Sequence, residues 1–217
     1  MTLLTITAIT LLTIGLIFFV TALRRVRKLA LASAIGHSGF SIVFLTTGAL
    51  FAAIGMNLYS YERLSYEAPV AYLNLSQKGG KQFVVEITFP VGTAQKFELV
   101  GDEWQVDARI VKWKPSGNLL GLNTKYRLER IRGRYRNTED EINLRPSVFA
   151  LSKNPGFDFF NFANEYPKWT PWLDTINGNS TFMPMVDRAR YKVVITQSGL
   201  ITHAENAEAR EAISAWK

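Results

Sequence analysis

A chain of 217 residues with 25 basic and 18 acidic side chains has length for one ordinary domain and something small beside it. It holds no cysteine, which excludes disulfides, thiolate metal sites and cysteine nucleophiles. Charge is laid out unevenly: residues 1–59 carry only Arg24, Arg25, Arg27 and Lys28, so 21 basic and 18 acidic residues remain for an ordinary, domain-sized remainder.

From Thr2 to Leu23 there is no charge at all. About 20 apolar residues rising 1.5 Å each cross a hydrocarbon layer of roughly 30 Å, so this run predicts a membrane-spanning helix. A signal peptide needs its positive charge before the apolar core and a small-residue cleavage site after it. Here the charge follows, as RRVRK, and Leu23-Arg24-Arg25 is no such site. A second uncharged run extends from Leu29 to Tyr61. Its first part is expected at the cytoplasmic interface, with the span from about Ser38 to Leu58 and Tyr59 and Tyr61 as an aromatic belt beyond it. Lys and Arg in short loops mark the cytoplasmic side, which predicts that both termini face the periplasm of a bacterial inner membrane.

Gly48, Ala52 and Gly55 place small side chains along the second span, where helices in lipid approach closely. They serve either the packing of this helix on the first or a face for another protein's helices. His37, at the start of the span, is an ionisable group in a membrane and therefore a functional candidate. With no second histidine before His203, a hydrogen bond to a nearby serine is its expected role, and no cofactor or metal is expected.

Beyond residue 60 the texture changes. Phe83, Val85, Ile87 and Phe89 alternate with polar neighbours, the period of a half-buried strand. Further strands are expected at Phe97–Leu99, Trp104–Ile110 and Lys125–Arg136. Turns are expected at Lys78-Gly79-Gly80, Val91-Gly92-Thr93, Gly101-Asp102, Pro115-Ser116-Gly117 and Asn137–Glu141. Arg130, Arg132, Arg134 and Arg136 stand two apart, so a regular strand presents all four on one face. Guanidinium groups in a row suit an anionic lipid or an acidic protein surface. The plainer reading is a solvated face neutralised by Glu129, Glu139, Asp140 and Glu141, and a phase shift between Leu128 and Ile131 signals a bulge. Asp107 is expected to pair with Arg109 or a lysine.

Residues 154–174 are rich in proline and aromatics without a period, pointing to an irregular segment or a short helix. Phe157, Phe160, Trp169 and Trp172 either close a flap over the β core or form a docking surface. Asn177-Gly178 is a strong hairpin dipeptide. Ala189–Thr196 and Leu200–Thr202 read as strands. A terminal helix follows, with Thr202-x-x-Glu205 as a capping box and Ala209, Ala212, Ile213 and Trp216 on one face.

At GDEWQVDARIVKWKPSGNLLGLNTKYRLERIRGRY, residues 101–135, the sequence resembles a group of small two-span proteobacterial inner-membrane proteins that carry the automatic label "cation/multidrug efflux pump". The shared layout, which includes a late segment like Phe182-Met183-Pro184-Met185, implies two spans and a β domain over nearly the whole chain. The residues themselves argue against a pump. No Asp or Glu precedes Glu62, and two spans do not enclose a transport path.

The expected fold is a membrane-anchored α+β chain. A transmembrane hairpin occupies residues 1–60, and a mostly antiparallel β domain, a sandwich or partly open barrel with a short C-terminal helix, occupies 61–217. No nucleophile with a base, no metal spacing and no phosphate loop appears. The expected function is a non-enzymatic accessory subunit that docks on other integral membrane proteins. The alternative is a stand-alone binding protein for anionic lipid or ligand. Nucleic acid is not an expected partner outside the cytoplasm.

Overall fold

The computed structural model describes residues 3–114, 117, 121–152 and 159–216. The chain falls into two units, Met1–Arg63 and Leu64–Lys217.

The first unit is a helical hairpin, α1 (Leu3–Arg27) and α2 (Leu31–Leu64), both long and apolar enough to cross a membrane. The turn between them, Lys28 to Ala30, places Leu29 at φ 59°. Large apolar side chains such as Leu16, Phe19, Phe40 and Leu50 point outward, and small ones point inward, the reverse of a soluble helix pair. Ala8, Gly15 and Ala22 are the buried residues of α1, and Ala34, Ser41 and Gly48 are buried on α2. Both sets repeat every seven residues, the period of two helices that stay in contact as they wind. A β-carbon added at Gly15 would lie 2.8 Å from Leu45 Cγ, and one at Gly48 would lie 2.9 Å from Leu12 Cγ. Ser41 donates its hydroxyl to the Gly15 carbonyl at 3.0 Å, a polar link between the helices. Thr7, Thr10, Thr13 and Thr46 instead donate to carbonyls four residues back, so their hydroxyls need no water.

The second unit is a sandwich of two antiparallel sheets. One has strand order β3-β2-β1-β8-β9, from β1 (Ala68–Gly79), β2 (Gln82–Thr88), β3 (Ala94–Val100), β8 (Arg190–Ile195) and β9 (Leu200–Ala204). The other has order β6-β5-β4-β7, from β4 (Glu103–Trp113), β5 (Lys125–Arg134), β6 (Val148–Ala150) and β7 (Leu173–Pro184). Two chain segments change sheets: Gly101-Asp102 leads from β3 to β4, and Met185–Ala189 leads from β7 to β8. Helix α3 (Thr138–Asn143) follows β5, α4 (Phe159–Glu165) and a 3-10 turn (Pro167–Trp169) precede β7, and α5 (Ala207–Ser214) follows β9. The architecture is α+β as expected, and the β part is a sandwich with two separate sheets.

Alternation builds the core. Phe83, Val85, Ile87 and Leu99 from one sheet meet Trp104, Val106, Ile110 and Ile131 from the other in a single buried cluster. Trp104 and Tyr191 make edge-to-face contact at 5.5 Å across it. Gly133 sits where β5 passes beneath the end of β3, and a β-carbon there would strike the Val100 carbonyl oxygen.

Several local expectations need correction. Asn177-Gly178 makes no hairpin: β7 runs through it, and a register shift opposite Ala108 and Ile110 absorbs Gly178 at φ 79°. A bulge lets one long strand continue because its neighbour β4 already supplies the hydrogen bonds. The polar run after β5 folds into α3, capped by the Asn137 side chain on Glu139 N–H. The last helix starts later than the capping box suggested. Asn206 is its cap, accepting from Ala209 N–H, and Thr202 belongs to β9, where its hydroxyl meets that of Thr181 at 2.8 Å. The expected strands begin at Phe83 and omit β1, whose Ala71, Leu73 and Leu75 are buried two apart, with β2 and β8 paired on either side. Of the expected turn at 115–117, residues Pro115 and Ser116 lie outside the described residues.

Candidate functional site

The arginine row occupies the outer face of the second sheet. The register sets Arg130 opposite Asp107, Arg132 opposite Gln105 and Arg134 opposite Glu103, so each arginine faces an acceptor on β4. Arg130 Nε donates to Asp107 Oδ2 at 2.5 Å, and Arg132 donates to Gln105 Oε1 at 2.9 Å. The bond to Asp107 holds the Arg130 guanidinium above its ordinary pKa. Arg134 lies 3.9 Å from Glu103 Oε2 and 4.4 Å from the centre of the Phe182 ring. Arg136 is beyond the end of β5, yet its Nε lies 3.4 Å from Glu103 Oε1 and its backbone N–H donates to Asp102.

The neutralising carboxylates are therefore those of β4. Glu129 is the extra residue at a bulge, since Asp107 pairs with Arg130 and Ala108 with Leu128. It turns instead to Arg109 at 2.6 Å and Arg127 at 3.5 Å. Asp107 binds Arg130, and not Arg109. The bulge precedes the row, so Arg130, Arg132 and Arg134 keep one face. Direct cross-strand opposition decides these pairs, and strand neighbours in space are invisible in a local sequence window.

Glu103 is the focus of this face. Only 3% of it is exposed, and its carboxylate gathers the Trp216 indole N–H at 2.8 Å together with Arg134 and Arg136. Trp216 also stands edge-on to Phe182 at 5.5 Å. A buried carboxylate ringed by two cations and a neutral donor is a structural clamp that ties the C-terminus to β4. At the same end of the sandwich, Lys81 bridges Asp102 at 3.1 Å and Asp140 at 3.2 Å, bonds that raise its pKa in that order of importance. Beside Arg130 lies an open hollow of about 300 Å³ lined by Gln105, Asp107, Asn179 and Ser180.

The aromatic candidates divide. Phe160, on α4, lies under the Arg109 guanidinium at 5.7 Å, and Ala163 of the same helix is buried, so α4 closes over the sheet. Trp169 is 74% exposed and Trp172 53%. Phe157 lies outside the described residues.

In the hairpin, Gly48 serves packing between α1 and α2. Gly55 makes only an ordinary contact, 3.9 Å to Leu4 Cβ, and Ala52 is exposed. Near these two the helices leave an apolar groove of about 690 Å³ lined by Leu4, Ala8, Phe51, Ala52, Gly55 and Met56, among others. Gly36 and Gly39 have open space where a β-carbon would be. His37 Nδ1 lies 2.7 Å from the Ser33 carbonyl and its ring packs 5.9 Å from Phe18. The seven-residue small-residue repeat in both helices was readable from the sequence, as was Gly15, but only by aligning the two helices antiparallel. Among the described residues, no group of three or more His, Asp or Glu side chains is placed to hold a metal ion.

No protein-family model, no curated protein and no solved structure matches this chain.

Proposed function

We propose that the chain is a non-enzymatic accessory subunit of a larger bacterial inner-membrane complex, with α1 and α2 in the bilayer and the β domain in the periplasm. The groove beside Ala52 and Gly55 carries this reading. Where Gly48 meets Leu12 the two helices already fill each other's surface. Near Gly55 small side chains leave a trough with bulky walls, and in lipid such a trough favours close packing of a further helix. The RRVRK turn, by the asymmetry of Lys and Arg around spans, supports placing the β domain outside the cytoplasm.

The second reading, recognition of an anionic lipid or ligand by the arginine row, has less support. Asp107 and Glu103 already offset the charge of Arg130, Arg134 and Arg136, and Gln105 takes a donor of Arg132, so an incoming anion competes with carboxylates already in place.

Purification through a tag in mild detergent, followed by mass spectrometry of what comes with the chain, tests the proposal. Integral membrane partners should co-purify in fixed ratio, and Ala52→Leu should release them while the hairpin stays folded. A partner-free protein that retains anionic lipid and loses it on Arg130→Gln supports the second reading. A partner-free protein that turns over a small substrate overturns both.

A further inference from the structure

Every strand of the sandwich begins or ends at one of two poles, and the pole where β1 begins has a particular surface. The registers bring to it the start of β1 at Ala68, the β2–β3 turn at Val91, the end of β4 at Trp113, the start of β5 at Lys125 and the start of β7 at Leu173. Thr124 bonds Gln197 of the β8–β9 turn at 3.0 Å, which joins the two sheets at this pole. Trp172 is fixed there by its carbonyl, which accepts from Lys114 N–H at 3.0 Å, and Trp169 ends the 3-10 turn just before it.

Exposed apolar side chains gather at this pole: Val91, Leu122, Tyr126, Trp169 and Trp172. Lysines stand among them at 112, 114, 125 and 168, against the carboxylates Glu67, Glu165 and Asp174, of which Asp174 is directly opposite Lys112 in the ladder. Exposed tryptophans with lysines are the composition of surfaces that sit at the level of lipid headgroups, where an indole is half in hydrocarbon and an ammonium meets phosphate.

The strand that begins at this pole is joined to α2 by a short tether. Three residues separate the end of α2 at Leu64 from the start of β1 at Ala68. Beyond Leu58, where the expected span ends, α2 rises about 9 Å more, and at full extension these three residues add about 14 Å, so the start of β1 stays within about 23 Å of the hydrocarbon edge. We infer that the pole bearing Trp169 and Trp172 rests on the membrane, with the two indoles in the headgroup layer and the lysines on lipid phosphates. The inference needs α1 and α2 to span a bilayer, and it does not depend on a partner helix in the groove.

The experiment uses the full chain reconstituted in vesicles of zwitterionic phosphatidylcholine, with and without anionic phosphatidylglycerol, containing lipids brominated near the headgroup end of their acyl chains. The five tryptophans are at 104, 113, 169, 172 and 216, all beyond the hairpin, with Trp104 buried in the core and Trp216 at the opposite pole. Bromolipid quenching is expected in the wild type and should be mostly lost in the Trp169→Phe/Trp172→Phe variant, whose unchanged circular dichroism shows that it folds. Anionic lipid should deepen the quenching, and replacing Lys114, Lys125 and Lys168 by Gln should remove that increment. Wild-type tryptophans that bromolipid leaves unquenched, or quenching that persists unchanged in the double variant, overturns the inference. So does protection of these indoles from aqueous acrylamide only when a protein partner is present. Alkaline carbonate separates the two premises: a chain stripped from vesicles refutes spanning, and a retained but unquenched chain refutes only the headgroup contact.

Discussion

The indole N–H of Trp216 reaches the carboxylate of Glu103 at 2.8 Å, across 113 residues of sequence. That bond fastens the segment after α5 to the first residue of β4, beside Arg134 and Arg136. Trp216→Phe keeps the ring against Phe182 and removes the donor. Hydrogen bonds to charged groups contribute roughly 1.5–3 kcal/mol, so the variant should lose about 2 kcal/mol. Guanidinium unfolding of the detergent-solubilised chain, followed by near-ultraviolet circular dichroism, measures it.

The arginine row should respond unevenly. Arg130 is more than half exposed and its ion pair with Asp107 is screened by water, so Arg130→Gln should cost at most about 1 kcal/mol. Arg134→Gln should cost more, about 2 kcal/mol, because it strips a partner from buried Glu103 and a cation from the Phe182 face. Equal effects in the same unfolding assay would refute the assignment of Glu103 as the clamp.

The hairpin can be locked without removing any native thiol. A β-carbon at Gly55 would stand 3.9 Å from Leu4 Cβ, inside the range of roughly 3.5–4.5 Å that a disulfide requires. Leu4→Cys/Gly55→Cys should therefore cross-link on mild oxidation, seen as a mobility shift that reductant reverses. Adding Gly48→Leu should lower the yield by forcing Leu12 away, and adding Gly36→Leu should not, because that side of α2 is open.

Gly133 tests how closely the sheets approach. An alanine there meets the Val100 carbonyl and the Ser147 hydroxyl, and the Val100 backbone cannot yield easily. Overpacking of this kind costs typically 1–3 kcal/mol and occasionally more, so Gly133→Ala should lose about 3 kcal/mol. A thermal midpoint within error of the wild type would mean that β3 and β5 are farther apart.

Tyr191 gives the sandwich an alkaline limit. It is buried, donates to the Pro184 carbonyl at 2.8 Å, and burial pushes its hydroxyl from 10 up to about 12. The folded state holds this proton more tightly than the unfolded chain, so the contribution is complete below about pH 10 and falls away as pH rises through about 12. Tyr191→Phe should cost about 1 kcal/mol at neutral pH by losing the hydrogen bond and should flatten that part of the decline. Unfolding midpoints between pH 8 and the alkaline limit check both.

By itself the sequence determined the features that depend on local composition and period. Uncharged runs bracketing RRVRK are enough for two long apolar helices, because the choice between hydrocarbon and water is made residue by residue. Alternation at Phe83, Val85 and Ile87, or at Trp104, Val106 and Ala108, is enough for strands with one buried face. The spacing of Arg130, Arg132 and Arg134 is enough for a shared face. Only the tertiary structure decided which elements became neighbours. It paired β1 with β8 and β4 with β7 across more than a hundred and about seventy residues, turned Asn177-Gly178 from a hairpin into a bulge, and gave the arginines Asp107, Gln105 and Glu103 as partners. It also placed Gly48 against Leu12 and left Ala52 and Gly55 beside a groove. The reason is the same in each case: a side chain's period is written in its own segment, whereas its partner is set by the register in which distant segments meet.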